Sequence, residues 1–331
     1  MIADGTAMEV SSRKQAFEGI CLLLVSLVFY SFDMLVFLYI VPLLLFALRG
    51  GKRKAELLLL LAAFAVLVIE ILSSSGLPWD KQGIALLLIS LYFPWSLSAA
   101  GVVWLETEHD HRLIRRLVCA LLPSLLFLFV IALFIATDRA LLQGLVEIFE
   151  NALAALMGNM LEQLMPGLEM SVLSELVLLT VLCLVVPLLL VSVCACCFIY
   201  SCGKHSREGE WEWSVMTFEY PSNAVWGLII AWALVLLLHF VSVPEPLLVV
   251  VMNLALAECV LYAIEGFTVV FAWIRKRNQR VKSLTVFVVL FVAAIALPGI
   301  NFIIVLGLPL LGILEAFFDL KKIGVEYEDH S

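Results

Sequence analysis

The sequence predicts an all-α fold: a polytopic integral membrane helix bundle of about ten helical segments, about eight to ten of them crossings, with one amphipathic outer helix. Three observations predict it. Of 331 residues, 63% are hydrophobic and 15% charged, against roughly a quarter charged in an ordinary soluble domain. The apolar residues fall in runs that reach the ~18–20 positions a helix needs to cross ~30 Å of hydrocarbon. No stretch shows the alternation of apolar and polar residues that marks a barrel strand, and in lipid only helices and closed barrels pair every backbone group.

Six spans are clear: 55–73, 83–105, 113–136, 172–200, 223–241 and 246–274. The terminal stretches 17–48 and 284–320 are each long enough to make a straight helix of about 48 Å or more. The first contains Ser31, Asp33 and Pro42, the second Pro298, Gly299 and Asn301, so each predicts a hairpin of two short helices.

Charge agrees with the hairpins, because Lys and Arg near helix ends are retained on the cytoplasmic side. With both termini inside, only Lys81 and Arg139 fall outside; single terminal helices would also move Arg13, Lys14, Lys321 and Lys322 outward. Trp104, Trp211, Trp213 and Trp273 then lie near the inner interface, where amphipathic rings prefer to sit. The chain 1–331 is therefore expected as a single membrane domain of a bacterial cell inner membrane, N- and C-termini cytoplasmic, with a cytoplasmic loop at 202–222. The first eighteen residues carry Asp4, Glu9, Arg13, Lys14 and Glu18 and no small-residue cleavage site follows, so no removable signal peptide is expected.

Residues 138–166 read as an amphipathic, non-spanning helix. Leu141, Leu145, Phe149, Leu153, Leu156, Met160 and Leu164 share a face, with Glu147, Asn151, Ala155 and Glu162 opposite. An acidic polar face differs from the Lys- and Arg-rich face of lipid-surface helices, so the expectation is a helix lying on the outer side of the bundle.

Chemistry concentrates in 246–274. Glu258, Tyr262 and Glu265 stand at i, i+4 and i+7, one helix face about 10 Å long. No Lys or Arg lies in the central part of any expected span, so the two acids require protonation, polar neighbours or a bound counter-charge. Asn223, His239, Asn253 and Asn301 are candidate neighbours. The expected substrate-binding set is Glu258, Tyr262, Glu265 and Asn253, with a small cationic ligand or a proton as occupant; neutral carboxyls that fix packing are the alternative. Cys194, Cys196, Cys197 and Cys202 before His205 match no common zinc spacing and read as buried thiols acting as small apolar residues. Glu106, Glu108, His109, Asp110 and His111 read as a solvated loop. A metal remains open, and no cofactor is implied.

There is no phosphate-binding G-x-x-x-x-G-K-[ST], no H-E-x-x-H and no G-x-S-x-G, so no familiar nucleotide hydrolase, metalloprotease or esterase is indicated. No two glycines are four apart, so the G-x-x-x-G helix-pairing pattern is missing as well. Nothing points to nucleic acid as a partner.

Phe218, Tyr220 and Pro221 before a helix containing Trp226, then Asn253 with Glu265 and Gly266 on the next, and the ending Leu311 to Lys322 resemble the YybS-like family of predicted bacterial membrane proteins. The family usually carries Gln where this chain has Glu265, and a different ending from Leu320, Lys321 and Lys322. The resemblance implies topology and, through distant similarity to the substrate-binding components of energy-coupling factor transporters, small-molecule uptake with a coupling subunit. Three readings follow: a solute-binding transport component, a structural or assembly partner in envelope machinery, and a membrane enzyme, with a non-enzyme expected.

Overall fold

In a computed structural model, the structure describes residues 3–32, 35–74, 79–109, 113–164, 170–205, 220–241, 245–278, 281–296 and 299–321. Among them are eleven α-helices and no strand. Seven helical stretches are long and apolar enough to cross a membrane: Arg13–Ser31, Lys52–Ser73, Lys81–Glu106, Leu113–Ala136, Val172–Lys204, Pro246–Arg277 and Asn301–Phe318. Val36–Gly50 and Ala224–Leu238 are shorter apolar stretches. Large apolar side chains such as Phe64, Phe129 and Ile303 point outward, a surface water does not tolerate over a whole molecule but lipid does. This is a multi-pass membrane protein.

The expectation of one domain over 1–331 meets a chain that gathers into two compact units. The first comprises Met1–Val181 with Ser192–Tyr200, the second Leu182–Val191 with Ser201–Ser331. The first contains α1 (Ala3–Ser31), α2 (Val41–Gly50), α3 (Lys52–Ser73), α4 (Lys81–Glu106), α5 (Leu113–Ala136) and α6 (Arg139–Leu164). α7 (Met170–His205) contributes to both. The second adds α8 (Ala224–Phe240), α9 (Glu245–Arg277), α10 (Ser283–Ala296) and α11 (Ile300–Phe318).

Both terminal stretches break, but unequally. α1 continues to Ser31 and a short 3-10 turn, Val36–Leu38, leads into α2, where Pro42 sits in the first turn; there its missing N–H costs nothing. Gly299, at φ +88°, separates α10 from α11. Each hairpin therefore has one arm of spanning length and one short arm, rather than the two short helices expected. The reason is that α1 begins before position 17, although the break falls at the middle of the stretch 17–48, and that the break in 284–320 comes before its middle. Asp33 and Pro298 lie outside the described residues.

In the first unit the polar contacts sort to two ends, as alternating helices require. At one end Arg49 pairs with Glu18 at 3.0 Å and Lys52 with Glu106 at 2.9 Å. There too the Arg116 guanidinium lies 4.0 Å over the Trp104 ring, and the Tyr200 hydroxyl donates to Glu108. At the other end the Tyr30 hydroxyl donates to Glu70, and Lys81 pairs with Asp138 at 2.7 Å. Asp138 also accepts from the Ala140 and Leu141 amides, capping α6. The Lys81 ammonium, then the Leu141 amide, hold its carboxyl below the ordinary aspartate range. On α6, Leu141 and Leu153 are buried while Glu147, Asn151 and Ala155 are exposed, so the helix rests on its apolar stripe. The expected loop at 202–222 is shorter: 202–205 are the last residues of α7, and 206–219 lie outside the described residues.

The second unit turns on one crossing. A β-carbon on Gly266 of α9 would overlap the Leu308 carbonyl of α11, and one on Gly312 would overlap the Tyr262 carbonyl. The two backbones touch through a pair of glycines, one on each helix, which is how membrane helices gain contact where hydrophobic burial gives none. Gly266→Ala should lower thermal stability in detergent by about 1–3 kcal/mol through steric overlap. Gly307→Ala is the control: with nothing within 4 Å, it should be neutral or stabilising by about 0.5–1 kcal/mol from helix propensity alone. Equal melting temperatures for the two variants would contradict the crossing.

Candidate functional site

The crossing presents one face of α9 to α8 and α11. Tyr262, fully buried, packs there with Val225 and Leu228 of α8, against Ile313 and Ala316 of α11. Gly266 removes the side chain beside Glu265, so α11 comes close enough for the residues that follow it to fold back over the acid.

α11 ends at Asp319 in the left-handed conformation, φ 47° and ψ 47°, with its amide bonded to the Glu315 carbonyl. This is a helix-terminating turn, here without the usual glycine. It reverses the chain so that the Lys321 amide donates to Glu315 Oε2 at 3.0 Å and the Lys321 ammonium reaches Glu265 Oε1 at 2.6 Å. The two side chains are 11% and 4% exposed. Trp273 Nε1 donates to the Leu320 carbonyl and Lys276 Nζ to the Lys321 carbonyl, fastening the returning segment to α9.

Tyr220, just before α8, spans both acids. Its amide donates to Glu265 Oε2 at 2.9 Å and its hydroxyl to Glu258 Oε2 at 2.8 Å. Its ring meets Tyr262 edge to face at 5.0 Å. Burial, then the hydrogen bond to Glu258, pushes the Tyr220 phenol above its usual range, so it stays a donor at neutral pH.

Glu258, Tyr262 and Glu265 thus lie together on one face, as their spacing requires. The sequence expectation of no basic partner needs correction for Glu265, which Lys321 meets. The lysine lies past the end of its helix, and its long stem carries the charge back to the acid. Glu265 also stands where α8 begins and α11 ends, towards one end of the unit, with Glu258 about 10 Å further along α9.

The charge remains uneven. Among the described residues, the carboxylates of Glu258, Glu265 and Glu315 stand with two ammoniums, that of Lys321 on Glu265 and that of Lys276 on the Lys321 carbonyl; Glu315 accepts from the Lys321 amide and Glu258 from the Tyr220 hydroxyl. The Tyr262 hydroxyl, on the helix turn between Glu258 and Glu265, is buried and has no hydrogen-bond partner among the described residues. A partly buried cluster with excess carboxylate and an unpartnered phenol suits a proton or a small cation. Among the described residues, no group of three His, Cys, Asp or Glu side chains is arranged to hold a metal ion.

Asn253 is engaged elsewhere. Its Oδ1 accepts from the Val186 amide at 3.0 Å, and its Nδ2 donates to the Leu182 carbonyl at 2.8 Å and to its own helix at Val249. Val186 precedes Pro187, which lies inside α7. Proline cannot supply the next rung of the ladder, and the Asn253 amide binds both groups of the rung before it. Asn301 Oδ1 accepts from the Gly299 and Phe302 amides at the start of α11, and the His239 side chain lies outside the described residues.

Sequence reasoning missed Tyr220, Glu315 and Lys321. Tyr220 and Glu315 were visible only as part of a family resemblance, and Lys321 only there and as an interfacial charge. No signal marked their pairings, which join residues 45 and 56 positions apart.

Asn253→Leu should destabilise the protein by about 0.5–1.5 kcal/mol for each bridging hydrogen bond lost, read as a lower melting temperature in detergent. An unchanged melting temperature would contradict the bridging role. No family model, curated protein or solved structure matches this chain.

Proposed function

We propose that this membrane protein is a solute-binding transport component that holds a small cation, or a proton, at the cluster of Glu258, Tyr262 and Glu265, with Tyr220 as hydrogen-bond donor. The observation that carries this reading is the excess of carboxylate over ammonium beside the unpartnered, buried Tyr262 hydroxyl. Glu258 is the residue most open to exchange: it is only half-buried and is held by a phenol rather than by a charge. Glu265, already neutralised by Lys321, holds Tyr220 in place.

The protein is proposed to lie in a bacterial inner membrane with both termini cytoplasmic, which puts the Glu265 end of the cluster towards the cytoplasm. Sorting of Lys and Arg supports this orientation. A coupling subunit would supply the energy for uptake, as the resemblance to the YybS-like family and energy-coupling factor components implies. The Lys321–Glu265 pair favours a second reading, a structural or assembly partner in which the cluster only fastens the C-terminal segment.

Infrared difference spectroscopy separates the two. On titration with acid or with sodium, potassium or spermidine, the first reading expects a carboxyl band that changes with ligand and disappears in Glu258→Gln, while the variant keeps its melting temperature. A cluster whose carboxyl bands ignore pH and all three cations in the folded protein would overturn the transport reading and leave the structural one.

A further inference from the structure

A second feature lies in the first unit, far along the sequence from the acidic cluster. Between α1 and α3 runs an open groove of about 260 Å³, floored by Phe46 of α2. α1 lines it with the small residues Ala16 and Gly19, and α3 with Leu57 and Leu58. The Phe46 ring lies 3.4 Å from where a β-carbon on Gly19 would stand, and it also covers Gly50. The rim is apolar and open: Ile20 is 55% and Leu57 58% exposed.

The polar residues of the groove stand together at one end. Lys54 Nζ donates to Gln15 Oε1 at 2.7 Å across its mouth. Lys14 and Arg53, next to these in sequence, are exposed, and Arg49 and Lys52 lie at the same helix ends, each paired with a glutamate. Apolar walls meet a cationic mouth within two helical turns, the profile of a lipid whose phosphate stays at the interface while its chain enters hydrocarbon. An apolar groove without the cations would not discriminate between headgroups; cations without the groove would attract a surface without seating a molecule.

We infer that this groove seats an acyl chain of an anionic phospholipid, with Lys54 at its phosphate. The test is native mass spectrometry of the full-length protein taken from vesicles of equal phosphatidylglycerol and phosphatidylcholine. The wild type should retain phosphatidylglycerol preferentially. Lys54→Glu should reduce that retention by about fivefold or more, the effect of reversing a cation near an anionic headgroup. Ala16→Phe, an uncharged change at an exposed position that fills the slot, should reduce it as well. Equal retention of the two lipids by the wild type, or preference unchanged in both variants, would overturn the inference. Displacement of the lipid by glycerol 3-phosphate at equal concentration would reduce the site to a phosphate site and overturn the acyl groove. Because none of these residues belongs to the acidic cluster, failure here leaves the transport reading where it stands.

Discussion

The second unit depends on two backbones being allowed to touch. Gly266 and Gly312 meet at the crossing of α9 and α11, and any side chain there would force the helices apart. The close approach seals Tyr262 between helices. It also brings the end of α11 beside Glu265, so that a lysine two residues past a left-handed turn reaches a carboxylate on the neighbouring helix. The acidic cluster is therefore a product of helix contact, and the contact is a product of two missing side chains.

Charge decides what such a cluster does. A buried carboxylate left alone is costly, and paired with one ammonium it is held. With Glu258 and Glu315 also present, the two ammoniums of Lys321 and Lys276 do not balance three acids among the described residues, and polar donors take up part of the difference. Tyr220 supplies two donors from one residue, because its amide and its hydroxyl point to different acids. The two acids differ along one helix face: Glu265 is nearly sealed beside a fixed charge, while Glu258 is half-buried beside a neutral donor.

Much of the fold was legible because the bilayer is a severe solvent. Length and apolarity alone define the spans, so the run 113–136 matches α5 at both ends. The break at Gly299 was legible from Pro-Gly, since one cannot donate and the other adopts a positive φ. The unequal hairpin arms were not, because a single polar or breaking residue inside a long apolar run does not fix where the turn falls. Helical spacing likewise showed that Glu258, Tyr262 and Glu265 share a face. What the spacing could not show is who comes to meet them. The G-x-x-x-G pattern is absent within any one helix, yet its physical effect is present between two, with 46 positions separating the glycines. Asn253 illustrates the same limit: its polarity was visible, but its engagement with the rung before Pro187 of α7 depends on packing between distant segments.

The most direct test is a double-mutant cycle on Glu265 and Lys321, measured as unfolding free energy of the purified full-length protein in detergent. Lys321→Met alone leaves a buried carboxylate without its counter-charge and should cost about 3–5 kcal/mol. Adding Glu265→Gln, which removes the stranded charge but can still accept from the Tyr220 amide, should recover most of that loss. Costs that simply add, or a Lys321→Met variant as stable as the wild type, would contradict the account that this returning lysine holds the acid.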